Sequence, residues 1–293
     1  MKRFLPAWLL LLVFLPAYAQ NYAPEVIDPS YEHDKWVTLP RDIRFDFAAF
    51  TLSFDSDDDD DGDGVPDLWG IPEWVSFEIK RLAAEDPLKD RPSWMTDPEL
   101  YSLGLAPGDE TYHVAKTRDL PEVKGDYRFV RGHLCPKDTA ERISKEAAYN
   151  THTLLNAVPQ LQWQNNGIWK ELESLCNQWA DSYGRVWVIC GPVFFGKSPA
   201  LWLGQGNEKK AAVPDALFKI VIREDPILTV KTLAFIIPNI IPKEKQNLPE
   251  YITTIGRVES LTGLDFLTVL GPGQAAAESV RGSLEDWQVP GKK

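Results

Sequence analysis

A histidine, an arginine, two asparagines and a glutamate carry the chemistry that this sequence can do. His133 closes the tripeptide Arg131-Gly132-His133. Asn156 opens the run Asn156-Ala157-Val158-Pro159-Gln160, and a third segment runs from Asn165 through Trp169 to Glu173. An imidazole with an ordinary pKa near ~6.5 suits general-base work at neutral pH. Amide and carboxylate oxygens, with water, suit a hard cation such as Mg²⁺, which takes few protein ligands. A guanidinium can stabilise charge building on a phosphate. Together these groups would support metal-assisted hydrolysis of a phosphodiester. Singly, each has a plainer reading: a structural histidine, a helix-capping asparagine, an exposed helical glutamate. It is their joint occurrence that points to a site.

The elements that must position these residues follow from periodicity. Residues 127–134 read as extended and 138–149 as a short helix. Residues 168–183 have helical spacing at Trp169, Leu172, Leu175, Cys176 and Trp179. On an unbroken helix, positions eight apart differ by about 80°, so Asn165 and Glu173 share a face. Residues 74–82, 185–194, 216–224 and 228–238 alternate or run apolar as strands, and 45–54 suits a short one. Residues 83–126 read as a long surface excursion, and 251–267 as a late helix with a turn at Gly263. Strands and helices interleave irregularly and no internal repeat is present. The expected class is α+β, a mixed and largely antiparallel sheet with flanking helices.

At these residues the sequence resembles the sugar-non-specific DNA/RNA endonucleases with a ββα-metal active site. That family's D-R-G-H motif stands here as Val130-Arg131-Gly132-His133. Its S-N-x-x-P-Q motif stands as Leu155-Asn156-Ala157-Val158-Pro159-Gln160, and its N-x-G-x-W-x-x-L-E run is intact from Asn165 to Glu173. Similarity continues, in the family's order, at 74–79, 191–194, 213–222, 234–239 and 259–266. The resemblance implies a ββα-metal nuclease fold over 71–285. It implies His133 as the general base that activates water and Asn165 as the direct ligand of Mg²⁺, for which Mn²⁺ can substitute. Glu173 would position water at the metal, Arg131 would stabilise the phosphorane, and Asn156 would orient the site. Arg91 resembles an upstream arginine that touches phosphate, with its local spacing shifted by one. The implied partners are DNA and RNA. Two departures stand out: Val130 replaces the usual aspartate, which removes a local support of the motif, and Cys135 stands where Ala is frequent.

Charge adds a second feature. The chain of 293 residues has 43 Asp+Glu against 31 Lys+Arg, a formal net charge of -12. Acidity alone argues against nucleic acid, since phosphate is bound by Lys and Arg. The acid is concentrated, however. Residues 55–67 hold eight Asp, whereas residues 115–223 hold 15 Lys+Arg and 11 Asp+Glu. The tract has a register: Asp59, Asp61 and Asp63 alternate, then come Gly64, Val65 and Asp67. This is the D-x-D-x-D-G-x-x-D of a calcium loop, similar to the short repeats of thrombospondin type 3 and dockerin modules. At the twelfth position Gly70 replaces the bidentate Glu, and Glu73 lies three residues late. The alternative is a solvated acidic linker; the ligand spacing favours structural Ca²⁺.

Lys2 and Arg3, an apolar run from Phe4 to Leu15 and the triplet Ala17-Tyr18-Ala19 read as a leader cleaved after Ala19. The expected destination is secreted or periplasmic, off the membrane after cleavage. The expected parts are a leader (1–19), an irregular arm (20–54), the Asp-rich loop (55–70), the nuclease domain (71–285) and a tail (286–293). Three cysteines, Cys135, Cys176 and Cys190, leave at least one thiol unpaired within the chain, and Cys176–Cys190 is an open pairing. With 44% hydrophobic and 25% charged residues, the composition excludes wholesale disorder, collagen-like repeats and a polytopic membrane protein. The competing function is a calcium-dependent surface or adhesion module on an inert nuclease scaffold; a phosphodiesterase with another substrate is a third. If the Asp tract holds structural calcium, EDTA lowers the melting temperature and added Ca²⁺ restores it, by mass action on the folded state. An unchanged melt in a calorimetric or fluorescence scan overturns that reading.

Overall fold

The computed structural model describes residues 22–37, 42–56, 68–83, 87–113, 128–196, 198–225 and 230–288. The leader and the predicted calcium ligands Asp59, Asp61, Asp63 and Asp67 lie outside the described residues. The architecture is α+β, as the sequence leads one to expect. Seven strands form one antiparallel sheet: β1 (Ile43–Asp46), β2 (Thr51–Phe54), β3 (Pro72–Lys80), β6 (Arg185–Val193), β9 (Ala216–Glu224), β10 (Val230–Pro238) and β11 (Ile252–Thr253), side by side in that order. A separate antiparallel hairpin joins β4 (Phe129–His133) to β5 (Ala157–Leu161), and a third small pair joins β7 (Trp202–Leu203) to β8 (Ala211–Ala212).

The large sheet is covered on both faces, and strand alternation assigns its side chains to two cores. Val75, Phe77 and Ile79 of β3, with Val186, Val188 and Cys190 of β6, belong to the first core. That core takes in the hairpin through Phe129, Val158 and Leu161. It also takes in Leu172, Cys176, Trp179 and Ala180 of the long helix α5 (Lys170–Tyr183), four buried positions at helical spacing. Trp74, Trp187, Ile189, Phe218, Ile220 and Ile222 face the other way. They meet Trp36, Phe266, and Ile255 and Val258 of helix α6 (Ile255–Thr262). α6 ends at Gly263, whose left-handed φ of 68° closes it.

Several expectations are refined by packing. The helix expected over 138–149 is two short ones, α2 (Lys137–Ala140) and α3 (Lys145–Asn150), because Ser144 caps the second through Ala147 N–H. The excursion at 83–126 is not all surface. Its described part carries helix α1 (Pro98–Leu103) and buries Met95, Leu100, Ala106 and Tyr112. The amino-terminal arm contributes β1 and β2 to the sheet, and in the tail Trp287 stacks near Trp179 with ring centroids 4.9 Å apart. All three cysteines are buried free thiols.

One buried carboxamide fixes the hairpin to the sheet. Asn239, fully buried just after β10, accepts from Leu161 N–H at 2.9 Å. Its Nδ2 donates to Pro159 O and Pro214 O, each at 2.9 Å. Leucine has similar bulk and would strand three buried backbone groups at once. Asn239→Leu is expected to lower unfolding stability by about 3 kcal/mol or more. Chemical denaturation checks this, and a loss below about 1 kcal/mol overturns it.

Candidate active site

The hairpin and the helical run after it form the site. His133 ends β4, where Ala157 is its cross-strand neighbour. Gly132 precedes it, and a Cβ there would lie 2.6 Å from Gln160 Cβ, so only glycine lets the two strands approach this closely. Behind His133 the chain is clamped by Asn156, which is fully buried. Its Oδ1 accepts from Cys135 N–H at 2.8 Å, and its Nδ2 donates to Cys135 O and Thr151 O, both at 2.9 Å. Asn156 thus orients the turn that carries the histidine, with both Nδ2 hydrogens in use and the side chain buried. Trp169 Nε1 donates to His133 O at 3.3 Å and ties that turn to the helix.

The helix departs from the expected one. It starts earlier, at α4 (Gln162–Gln164), and passes through a π turn at Asn165–Trp169 before α5. Asn165 is therefore inside the helical run and not its cap. The helical step from residue to residue is thus interrupted between Asn165 and Glu173. Gly167 leaves helical geometry at φ -105°, ψ -109°. A Cβ on Gly167 would lie 1.9 Å from Gln246 Oε1, the oxygen that accepts from Ile168 N–H at 2.9 Å.

His133, Asn165, Glu173 and Arg91 meet in one pocket of about 210 Å³, with His152, Lys137 and Lys170 also on its wall. Arg131 is not brought there. Its guanidinium pairs with the Asp109 carboxylate, donates to Asp109 O at 3.0 Å and lies 5.5 Å from the Tyr112 ring centroid. The guanidinium that faces the pocket is that of Arg91.

Burial holds the His133 imidazole well below its usual pKa, helped by the repulsion that a proton on it would meet from the neighbouring His152 ring, Arg91 and Lys137. The ring is therefore neutral at neutral pH. Its Nε2 is buried without a hydrogen-bond partner among the described residues, and the ring lines the pocket. Burial also pushes the Glu173 carboxyl up to about 7, against the opposing charge of Lys219. Lys219 is itself buried, with Nζ 3.9 Å from the Trp169 ring centroid. Asn165 Nδ2 leans on Asn166 Oδ1 at 3.4 Å, so Oδ1 is its atom available to a cation. A largely desolvated carboxyl on the same pocket wall as an amide is a donor set that fits a hard divalent ion.

A family model for DNA/RNA non-specific endonucleases matches residues 68–271. The chain belongs to that family. The match spans every pocket residue and both layers around the large sheet. The mitochondrial nuclease EXOG of Danio rerio is 30% identical over 223 residues, covering 69% of this chain and 64% of the relative. That of Xenopus laevis is 28% identical over 211 residues, covering 66% of this chain and 58% of the relative. The chain thus spans less than two thirds of either. In fold it is similar to a chain in the crystal structure of the EndoG/EndoGI complex. The TM-score is 0.59 at 19% identity, over 80% of this chain and 89% of that one.

Both of these EXOG relatives are mitochondrial nucleases by name, which overturns the expectation of a secreted or periplasmic endonuclease. A basic start followed by an apolar run is a pattern, and the compartment depends on the receptor that reads it.

Sequence reasoning missed His152, Lys137 and Lys170 as pocket residues. Proximity to Asn156, Pro136 and Trp169 in the chain was the only signal for them. It also gave no hint of Asn239. The Glu173 shift yields a test. A carboxyl raised from 4.5 to about 7 on folding costs stability above pH 7, and the cost fades as pH falls from 7 toward 4.5. Glu173→Gln, metal-free in EDTA, is expected to be more stable than the parent at pH 8, by about 3 kcal/mol at most, and to lose that advantage by pH 4.5. Equal melting temperatures at pH 8 overturn this.

Proposed function

We propose that this chain is a metal-dependent endonuclease that hydrolyses phosphodiester bonds of DNA and RNA with little sequence preference. The observation that carries the reading is the convergence, in one pocket, of the His133 imidazole, the Asn165 amide, the Glu173 carboxyl and the Arg91 guanidinium. Every one of these groups can address a phosphate, a water or a cation. That is the chemistry of sequence-independent cleavage.

His133 is the general base. Held neutral, it takes a proton from the attacking water at Nδ1; the water oxygen bonds to phosphorus as the P–O ester bond to the leaving sugar oxygen breaks, and that oxygen leaves as an alkoxide that solvent protonates. Arg91, with Lys137 and Lys170 on the same wall, holds the non-bridging oxygens and stabilises the charge they gain. Asn165 and Glu173 would hold Mg²⁺, or Mn²⁺ in its place. When bound, the ion polarises the phosphate and stabilises the leaving oxygen. Asn156 and Trp169 act on the base through its backbone, the first at the turn after it and the second at its carbonyl. Arg131 anchors the 109–113 segment against the hairpin.

The test is plasmid DNA and a structured RNA digested by the purified chain in Mg²⁺, in Mn²⁺ and in EDTA. Both substrates are expected to be degraded with either metal and spared in EDTA. His133→Ala is expected to lose at least about a hundredfold in rate while keeping its circular dichroism spectrum. Normal digestion by that variant overturns the base assignment, and no digestion by the parent overturns the function.

A further inference from the structure

Two buried nitrogens on neighbouring rings lack hydrogen-bond partners among the described residues. His133 Nε2 is one, and His152 Nε2 is the other. The two rings sit edge to face, centroids 4.8 Å apart at 82°. Trp94 packs on both, with its centroid 4.4 Å from His133 and 5.4 Å from His152. His152 is fully buried on the wall of the pocket and has no part in the mechanism above.

The tautomers of the two rings can be deduced separately. A neutral imidazole carries one N–H and one lone pair. If His133 takes a proton at Nδ1, its resting proton is on Nε2, so the buried orphan is a donor. On His152, Nδ1 lies 3.4 Å from Ala148 O. A carbonyl only accepts, so the proton of His152 is on Nδ1. Thr151 Oγ1, also 3.4 Å from that nitrogen, already donates its own proton to Ala148 O at 2.7 Å and can only accept there. The buried orphan of His152 is therefore a lone pair. One ring has a donor without an acceptor, and its neighbour has an acceptor without a donor.

We propose that His152 is the positioning partner of the catalytic base, its Nε2 lone pair receiving the Nε2–H of His133. The inference rests on the reading of His133 as the base. The bond would form by reorientation of the rings about χ2, a soft torsion. The bond then fixes the productive tautomer of His133 and aims Nδ1 at the pocket. When Nδ1 takes the proton from water, the ring becomes an imidazolium and the bond strengthens as a charge-assisted one. No proton passes to His152; it only accepts a hydrogen bond.

Two substitutions and one spectrum test this. His152→Phe keeps an aromatic ring without an acceptor, and His152→Gln keeps an acceptor oxygen. The Phe variant is expected to lose roughly ten- to a hundredfold in kcat, equally on DNA and RNA, with KM unchanged. The Gln variant is expected to recover most of that loss. Imidazole ¹H–¹⁵N spectra of the parent are expected to show His133 protonated at Nε2, and of the Phe variant a mixture of tautomers. Parental kcat in the Phe variant, equal losses in both variants, or His133 protonated at Nδ1 in the parent would each overturn the pairing. The spectra need no turnover, so they decide the pairing even if the parent cleaves no nucleic acid.

Discussion

Three backbone segments meet at the carboxamide of Asn239, and the placement of the hairpin depends on that meeting. The hairpin β4–β5 shares no ladder with the large sheet. It is joined by apolar packing, which has no direction, and by this amide, which has one. The Asn156 clamp does the same at the next level, fixing Cys135 and with it the carbonyl end of His133. Buried carboxamides with every donor and acceptor satisfied are costly to disturb and specify one arrangement. Packing holds the layers together, and the two asparagines set where the base stands.

The helix solves a different problem. Its apolar stripe must face the sheet to bury Leu172, Cys176 and Trp179, while Asn165 and Glu173 must face the hairpin. The run kinks at Gly167, between the two polar groups, and α5 keeps its buried stripe on the sheet. Glycine at 167 permits it, and Gln246 takes up the Ile168 amide that the turn exposes. The acid of the chain is kept elsewhere in sequence: the pocket wall has Arg91, Lys137 and Lys170 against Asp138 and Glu173. A net charge of -12 is thus an average that says little about the field a phosphate would meet.

Much of the fold was legible. β6 and β9 begin and end where alternation and apolar runs place them, within a residue, because a half-buried strand must alternate whatever it packs on. The short pieces were not legible. α2 and α3 part at Ser144, whose capping bond beats continuity, and the register of the helix at Asn165 is set by Gly167 and by Gln246, which is 79 residues downstream of it. In the site, His133, Asn165 and Glu173 were named from their residue types and spacing, Arg91 from the family resemblance, and the four converge. Arg131 was named too, and it turns to Asp109. A side chain two residues from the base shares its strand face, but where its long arm ends depends on a carboxylate from another segment.

The sequence by itself determined the class of the fold, the antiparallel strands and the residues able to do hydrolytic chemistry. These follow from local rules: period two, period 3.6 and the ionisation of side chains. Only the tertiary structure decided which guanidinium faces the pocket, that the helix carries a π turn, and that His152 stands against His133. Each of those depends on contacts between segments far apart in the chain, made by hydrogen bonds and burial that no local window contains. The pKa values that suit His133 and Glu173 to their work belong to this second set, because desolvation is a property of what surrounds a group and not of the group.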